Sequence, residues 1–190
     1  MAAEGRLTLP VGPRDHAQGP EVAPVTLVEY GDFECPQCGL AFPIVKELQR
    51  LFGARLRFVY RHFPLTSSHP HAQRAAEAAE WAAAQGQDAP ERAALFWTMH
   101  DDLFTHQEAL DEHAIAARAG ARGLDVAWLR RAWATHAFIP RVKEDFLSGV
   151  DAGVAGTPAF FVNGARHAGA WDLESLGRAL DNAAAGQRSG

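Results

Sequence analysis

The chain carries two cysteines, and they stand three apart in Cys35-Pro36-Gln37-Cys38. Ahead of them runs Val25-Thr26-Leu27-Val28-Glu29-Tyr30, β-branched and apolar as strands are. Behind them Leu40, Phe42, Ile44, Val45, Leu48, Leu51 and Phe52 recur at helical spacing. The pair therefore sits on a strand–turn–helix junction, where CxxC reads as a thiol–disulfide redox site. A closed zinc site needs four ligands. The chain has no second CxxC, and His62, His69 and His71 would have to converge from elsewhere. A purely structural disulfide here would close only a tiny loop and contribute little.

Exchange chemistry needs a thiolate that can attack. Cys35 precedes the helix, where unpaired N–H groups and the helix dipole favour negative charge, and is expected as the exposed nucleophile. Cys38 lies one turn further on, more buried, and is expected to resolve the mixed disulfide by attacking Cys35. Pro36 at the first helical position costs no hydrogen bond. Asp32 and Glu34 stand close by. They oppose a thiolate at Cys35, or else point to water and are screened. His69 and His71 flank Pro70 at a helix start; they either neighbour the active site or are solvated helix-entry residues, the commoner case. His100, His106, His113 and His136 show no ligand-like spacing.

The remaining composition narrows the function classes. A chain of 190 residues fits one domain, or one domain with a sizeable insertion. Net charge is −5 and no basic block occurs, so nucleic acid is excluded as a partner class. No apolar run reaches the roughly 18–20 residues that a membrane span needs. The first 24 residues are polar and rich in Gly and Pro, without the apolar core of a signal peptide. That pattern favours the cytoplasm, where thiol pairs are more often redox-active than structural. The alternative is a periplasmic or extracellular protein whose leader is absent from this chain.

Along the chain, residues 1–24 read as a flexible arm with a short strand at 6–9. Residues 25–31 read as a strand, 36–52 as a helix kinked at Pro43 and stopped by Gly53, and 55–63 as a second strand. Helical texture fills 70–151. One Ala-rich helix is capped by Ser68, another runs over 93–104, and others are capped by Asp111 and Asp125. The last opens near Pro140, with Val142, Phe146 and Val150 facing inward. Residues 159–162 return to strand, Asn163-Gly164 reads as a hairpin turn, 166–168 as the return strand, and Asp172 caps a terminal helix.

Two segments carry a family resemblance. Residues 25–42, VTLVEYGDFECPQCGLAF, resemble the thioredoxin superfamily, in its DsbA-like branch with a helical insertion. Residues 156–164, GTPAFFVNG, resemble that family's cis-proline loop and following hairpin. Pro43 falls where thioredoxins often carry a helix-kinking proline. The resemblance spans residues 22–184. It implies an α/β thioredoxin fold, β-α-β then β-β-α around a mixed central sheet, with an inserted all-helical subdomain. The expected division is 1–24 arm, 25–66 first half with CxxC, 67–152 helical insertion, 153–184 second half with the cis-proline loop, and 185–190 disordered tail. The insertion is expected to roof the active-site groove and select clients.

The resemblance also implies roles. Cys35, Cys38 and Pro158 form the catalytic set, with Pro36, Gln37, Thr157 and Glu29 in support. Pro158 follows a cis bond, its loop faces the cysteines, and the Thr157 backbone pairs with the substrate chain as an added strand. Glu29 matches a buried acid that relays protons to the second cysteine; read from its residues alone, it is equally an edge-strand carboxylate in solvent. Two departures leave the direction of exchange open. The dipeptide is Pro-Gln where strongly oxidising members have Pro-His, and Glu34 stands where thioredoxins usually have Trp. With the helix terminus and the two acids roughly cancelling, the reduction potential is expected between those of thioredoxin and DsbA. The resemblance implies exchange with protein cysteines or disulfides, no cofactor and no metal, and a redox partner in the thioredoxin system or glutathione. The rival readings are a redox-inactive peptide-binding or holdase module and a glutathione-linked thioredoxin-fold enzyme.

Overall fold

The structure is a computed structural model and describes residues 5–186. β2 (Val25–Gly31) and β3 (Leu56–His62) are buried along nearly their whole length. This is why β2 reads as a near-continuous apolar run; β3 reads as alternating, with Leu56, Phe58 and Tyr60 on one face, yet its polar Arg61 and His62 are buried too. The two strands are joined through α1 (Pro36–Phe52), the crossover that a parallel pair requires. The five-stranded sheet has the order β1-β3-β2-β4-β5, with β1 at His16–Gln18, β4 at Ala159–Val162 and β5 at Ala165–Arg166. β1 runs antiparallel to β3, and β4 antiparallel to both β2 and β5. The mixed sheet with flanking helices is the expected thioredoxin fold. α1 keeps Pro43 inside it and stops at Gly53, whose φ of 51° is the left-handed conformation favoured by glycine after a helix.

The chain forms two compact units. The first comprises the residues through Gly31, Leu40–Arg61 and those from Leu147 on. Its core is the sheet, with Ala41, Val45 and Leu48 of α1 and Leu176, Leu180 and Ala184 of α7 (Leu173–Gly186) buried. The arm expected as flexible is tied to this sheet. Arg61, fully buried, donates from Nε to Asp15 Oδ1 at 2.8 Å and from Nη1 to the Leu9 carbonyl at 2.9 Å and Tyr30 Oη at 2.9 Å. A buried guanidinium needs all of its donors matched, and the arm supplies the acceptors. The strand expected at 6–9 is a single bridge, Arg6 to Ala165, and the real strand is β1. The last four residues of the expected tail, 187–190, lie outside the described residues, while 185 and 186 belong to α7.

The hairpin turn after β4 has positive φ at both Asn163 (47°) and Gly164 (79°), as a type I′ turn requires. Asn163 exceeds the turn role read for it. Its N–H donates to the Thr26 carbonyl at 2.9 Å and its Oδ1 accepts from the Thr26 N–H at 2.8 Å, extending the ladder with β2.

The second unit comprises Asp32–Gly39 and His62–Phe146. It holds α2 (Ala72–Ala84), α3 (Ala89–Thr105), α4 (Glu112–Ala121), α5 (Val126–Thr135) and most of α6 (Ile139–Asp151). Small side chains at Ala75, Ala76, Ala79 and Ala82 let α2 pack closely against α3. Asp111 and Asp125 cap α4 and α5 as expected, and Asp88 caps α3. Ser68 caps nothing. It sits in a turn closed on the Leu65 carbonyl, and α2 begins after His71. Val142 is buried as expected, but Val150 is 48% exposed, and Asp145 takes a buried position on α6. Asp145 Oδ2 accepts the His62 N–H at 3.1 Å and Oδ1 pairs with Arg141 at 2.7 Å. A buried backbone donor must be matched, and that need overrides the apolar period.

Candidate functional site

The chain leaves β2 at Gly31 and turns tightly before α1. The Cys35 N–H donates to the Asp32 carbonyl at 3.1 Å, and the Gly39 N–H to the Cys35 carbonyl at 3.1 Å. Pro36 and Gln37 are exposed at the first turn of α1. Cys35 retains 5% exposure and Cys38 none. The order of accessibility is the expected one, but Cys35 is more enclosed than an exposed nucleophile.

The backbone of the turn is held by Gln107, a side chain 72 positions away from Cys35. Gln107 Nε2 donates to the Phe33 carbonyl at 2.7 Å and to the Cys35 carbonyl at 3.0 Å. A Cβ added to Gly39 would lie 2.0 Å from Gln107 Oε1, so glycine at 39 makes room for this clamp. The Phe33 ring packs 4.9 Å from Phe104 and 5.6 Å from His100, centroid to centroid, anchoring the turn in the helical unit.

The acids before Cys35 do not point to water. The Asp32 side chain is fully buried. Its Oδ1 accepts from the Glu34 N–H at 2.9 Å, and its Oδ2 from the Leu65 N–H at 2.8 Å and from His69 Nδ1 at 2.7 Å. The Asp32 N–H in turn reaches Cys38 Sγ at 3.5 Å, so backbone and side chain of one residue link the cysteines to His69. Glu34 Oε2 accepts the His71 N–H at the start of α2. His69 is thus no solvated helix-entry residue. Partial burial lowers its pKa, but the Asp32 hydrogen bond and charge, then the charges of Cys35 and Glu34, outweigh this and hold it above its ordinary value. His62 Nε2 meets Glu80 Oε1 at 2.9 Å, so His62 and His69 serve two different carboxylates.

The expected site residues divide between the two units. Cys35, Pro36, Gln37 and Cys38 belong to the helical unit with Asp32, His69 and Gln107. Glu29, Thr157 and Pro158 belong to the sheet unit. Glu29 is 2% exposed in β2, opposite Phe160 of β4, which removes the reading of an edge carboxylate in solvent. The Thr157–Pro158 peptide is cis and leads into β4. No local spacing announces the Asp32–His69 pairing or Gln107, because these contacts span 37 and 72 positions.

Comparison with known proteins places this geometry. The family model described as a DSBA-like thioredoxin domain matches residues 26–181. Among solved structures, BdbD from Bacillus subtilis in its oxidised form has a TM-score of 0.81 at 20% identity, covering 96% of this chain and 99% of that one. A thioredoxin-like oxidoreductase from Silicibacter pomeroyi DSS-3 has a TM-score of 0.73 at 27% identity, covering 90% and 93%. Curated relatives include the Na(+)/H(+) antiporter NhaA 1 of Salinispora arenicola (strain CNS-205), 48% identical over 96% of this chain but only 27% of that protein. The chain therefore spans about a quarter of the length of the curated relatives it matches. With the family model matching most of its length, the chain belongs to the DsbA-like thioredoxin-domain family.

Proposed function

We propose that the chain exchanges disulfides with protein substrates, Cys35 attacking and Cys38 resolving. The observation that carries this reading is the burial order at the start of α1, where Cys35 keeps some exposure and Cys38 has none. In the reducing direction, the Cys35 thiolate attacks one sulfur of a substrate disulfide. A Cys35–substrate S–S bond forms, the substrate S–S bond breaks, and the departing thiolate takes up a proton. Cys38 then loses its proton and attacks Cys35 sulfur, expelling the second substrate thiolate, which is protonated in turn. Two electrons pass from the dithiol to the substrate, and the chain is left as the Cys35–Cys38 disulfide. Glu29, buried in β2, is the proposed proton relay for Cys38, and the backbone at Thr157 the proposed docking strand for the substrate. Glutathione or a thioredoxin system regenerates the pair.

The test is trapping. Cys38→Ser is expected to accumulate mixed disulfides with clients, because attack proceeds and resolution fails, whereas Cys35→Ser traps almost none. Equal trapping by both variants would refute the assignment. A second reading concerns the client. A relative named as a Na(+)/H(+) antiporter contains a stretch 48% identical to most of this chain within a much longer protein. A membrane transporter with accessible thiols is therefore a proposed client class, and trapped adducts confined to the soluble fraction would count against it.

A further inference from the structure

We propose that His69 is a positioning residue of the thiol pair: held against Asp32, it neutralises the buried carboxylate beside the cysteines and so sets how readily their thiolates form. The inference deepens the exchange reading and rests on it. Asp32 is fixed to both cysteines through its backbone, the carbonyl to the Cys35 N–H at 3.1 Å and the N–H to Cys38 Sγ at 3.5 Å. Its carboxylate is fully buried and meets three donors, of which Leu65 and Glu34 offer neutral backbone N–H groups. His69 is the donor that can also bring positive charge, at 2.7 Å. A buried carboxylate left without that charge opposes a thiolate nearby, and in a site screened from water the opposition is strong.

Asp32, then Cys35 and Glu34, all of the 32–35 segment, act on His69 to hold its charge. The interaction with Cys35 is mutual. Whatever a Cys35 thiolate contributes to the imidazolium, the imidazolium contributes to the thiolate. His69 gains and loses no electrons in the exchange, and its protonation changes only the balance between thiol and thiolate. Its raised pKa keeps the charge in place through the acidic range, and the charge is lost as pH rises through that value.

The test uses the whole chain, with His69→Asn keeping a donor near the Nδ1 position without the charge. Two quantities are read: the equilibrium with glutathione at pH 7, and the rate of Cys35 alkylation by iodoacetamide from pH 5 to 9. In His69→Asn the equilibrium is expected to move about tenfold toward the disulfide, about 30 mV more negative. Alkylation is expected to slow several-fold at pH 6 and to converge with the parent at alkaline pH, where the parent's His69 has itself lost its charge. Asp32→Asn removes the carboxylate, so adding His69→Asn to it is expected to change either quantity less than twofold. The proposal is overturned if His69→Asn leaves both quantities unchanged, or if its full effect persists in the Asp32→Asn background. A parent chain that fails to reduce insulin would overturn the exchange reading instead, and the alkylation profile would still report on His69.

Discussion

Gln107 and Gly39 show how one side chain holds the redox turn. Gln107→Ala would leave the Phe33 and Cys35 carbonyls short of a donor, at a cost of about 1–3 kcal/mol. Gly39→Ala would drive a methyl into Gln107 Oε1 and break the same two bonds by displacement. The two substitutions therefore remove one interaction, and chemical denaturation is expected to show strongly non-additive losses. Additive losses would mean that the clamp is not the common element. His69 gives a pH signature at the same scale. Its folded pKa is raised, so the stability it contributes is complete below its unfolded value of about 6.5 and is lost as pH rises through the folded value. The difference in unfolding free energy between the parent and His69→Asn is expected to be largest near pH 6 and to shrink toward pH 9. Cys35 and Cys38 were legible in the sequence because their covalent spacing is their chemistry. The pairing of Asp32 with His69 was not, since it joins residues 37 positions apart.

Among the elements, α1 was legible to the residue because Pro36 and Gly53 punctuate it chemically at both ends. β1 was hidden: three residues, His16-Ala17-Gln18, carry no alternation, and the strand exists because the arm is anchored by the Asp15–Arg61 pair. That pair is expected to dominate the attachment of the arm. Asp15→Asn leaves a buried guanidinium without its counter-charge, and breaking a buried pair in this way costs about 3–5 kcal/mol. Burial raises the Asp15 pKa, but the Arg61 hydrogen bond, the Gly12 N–H and the Arg61 charge outweigh it, so the net shift is downward. The contribution is thus present above the unfolded value of about 3.9 and is lost as pH falls through the lower folded value. Hydrogen exchange in β1 should accelerate in Asp15→Asn at neutral pH. A loss below about 1 kcal/mol, the range of an exposed pair, would show that the Leu9 carbonyl, with the Pro10 carbonyl that accepts from Arg61 Nη2 at 3.2 Å, suffices to hold Arg61.

At the scale of the molecule, the order β-α-β, helices, β-β-α was legible because each element repeats its own period. The grouping of residues 32–39 with the helical unit was not, because packing partners far apart in sequence leave no local trace. Among the described residues no helix is long and apolar enough to cross a membrane. Relatives that share this chain's sequence over about a quarter of their length indicate that the fold also occurs within larger proteins. The central claim is that Cys35 and Cys38 form one reversible redox couple. The most direct measurement is equilibration of the whole chain in glutathione buffers of graded ratio, with the thiols counted by mass after alkylation. The account predicts a two-electron transition to a Cys35–Cys38 disulfide within one chain, with a potential between about −260 and −150 mV. Thiols that stay unoxidised across the series, or that form only disulfides between chains, would contradict it.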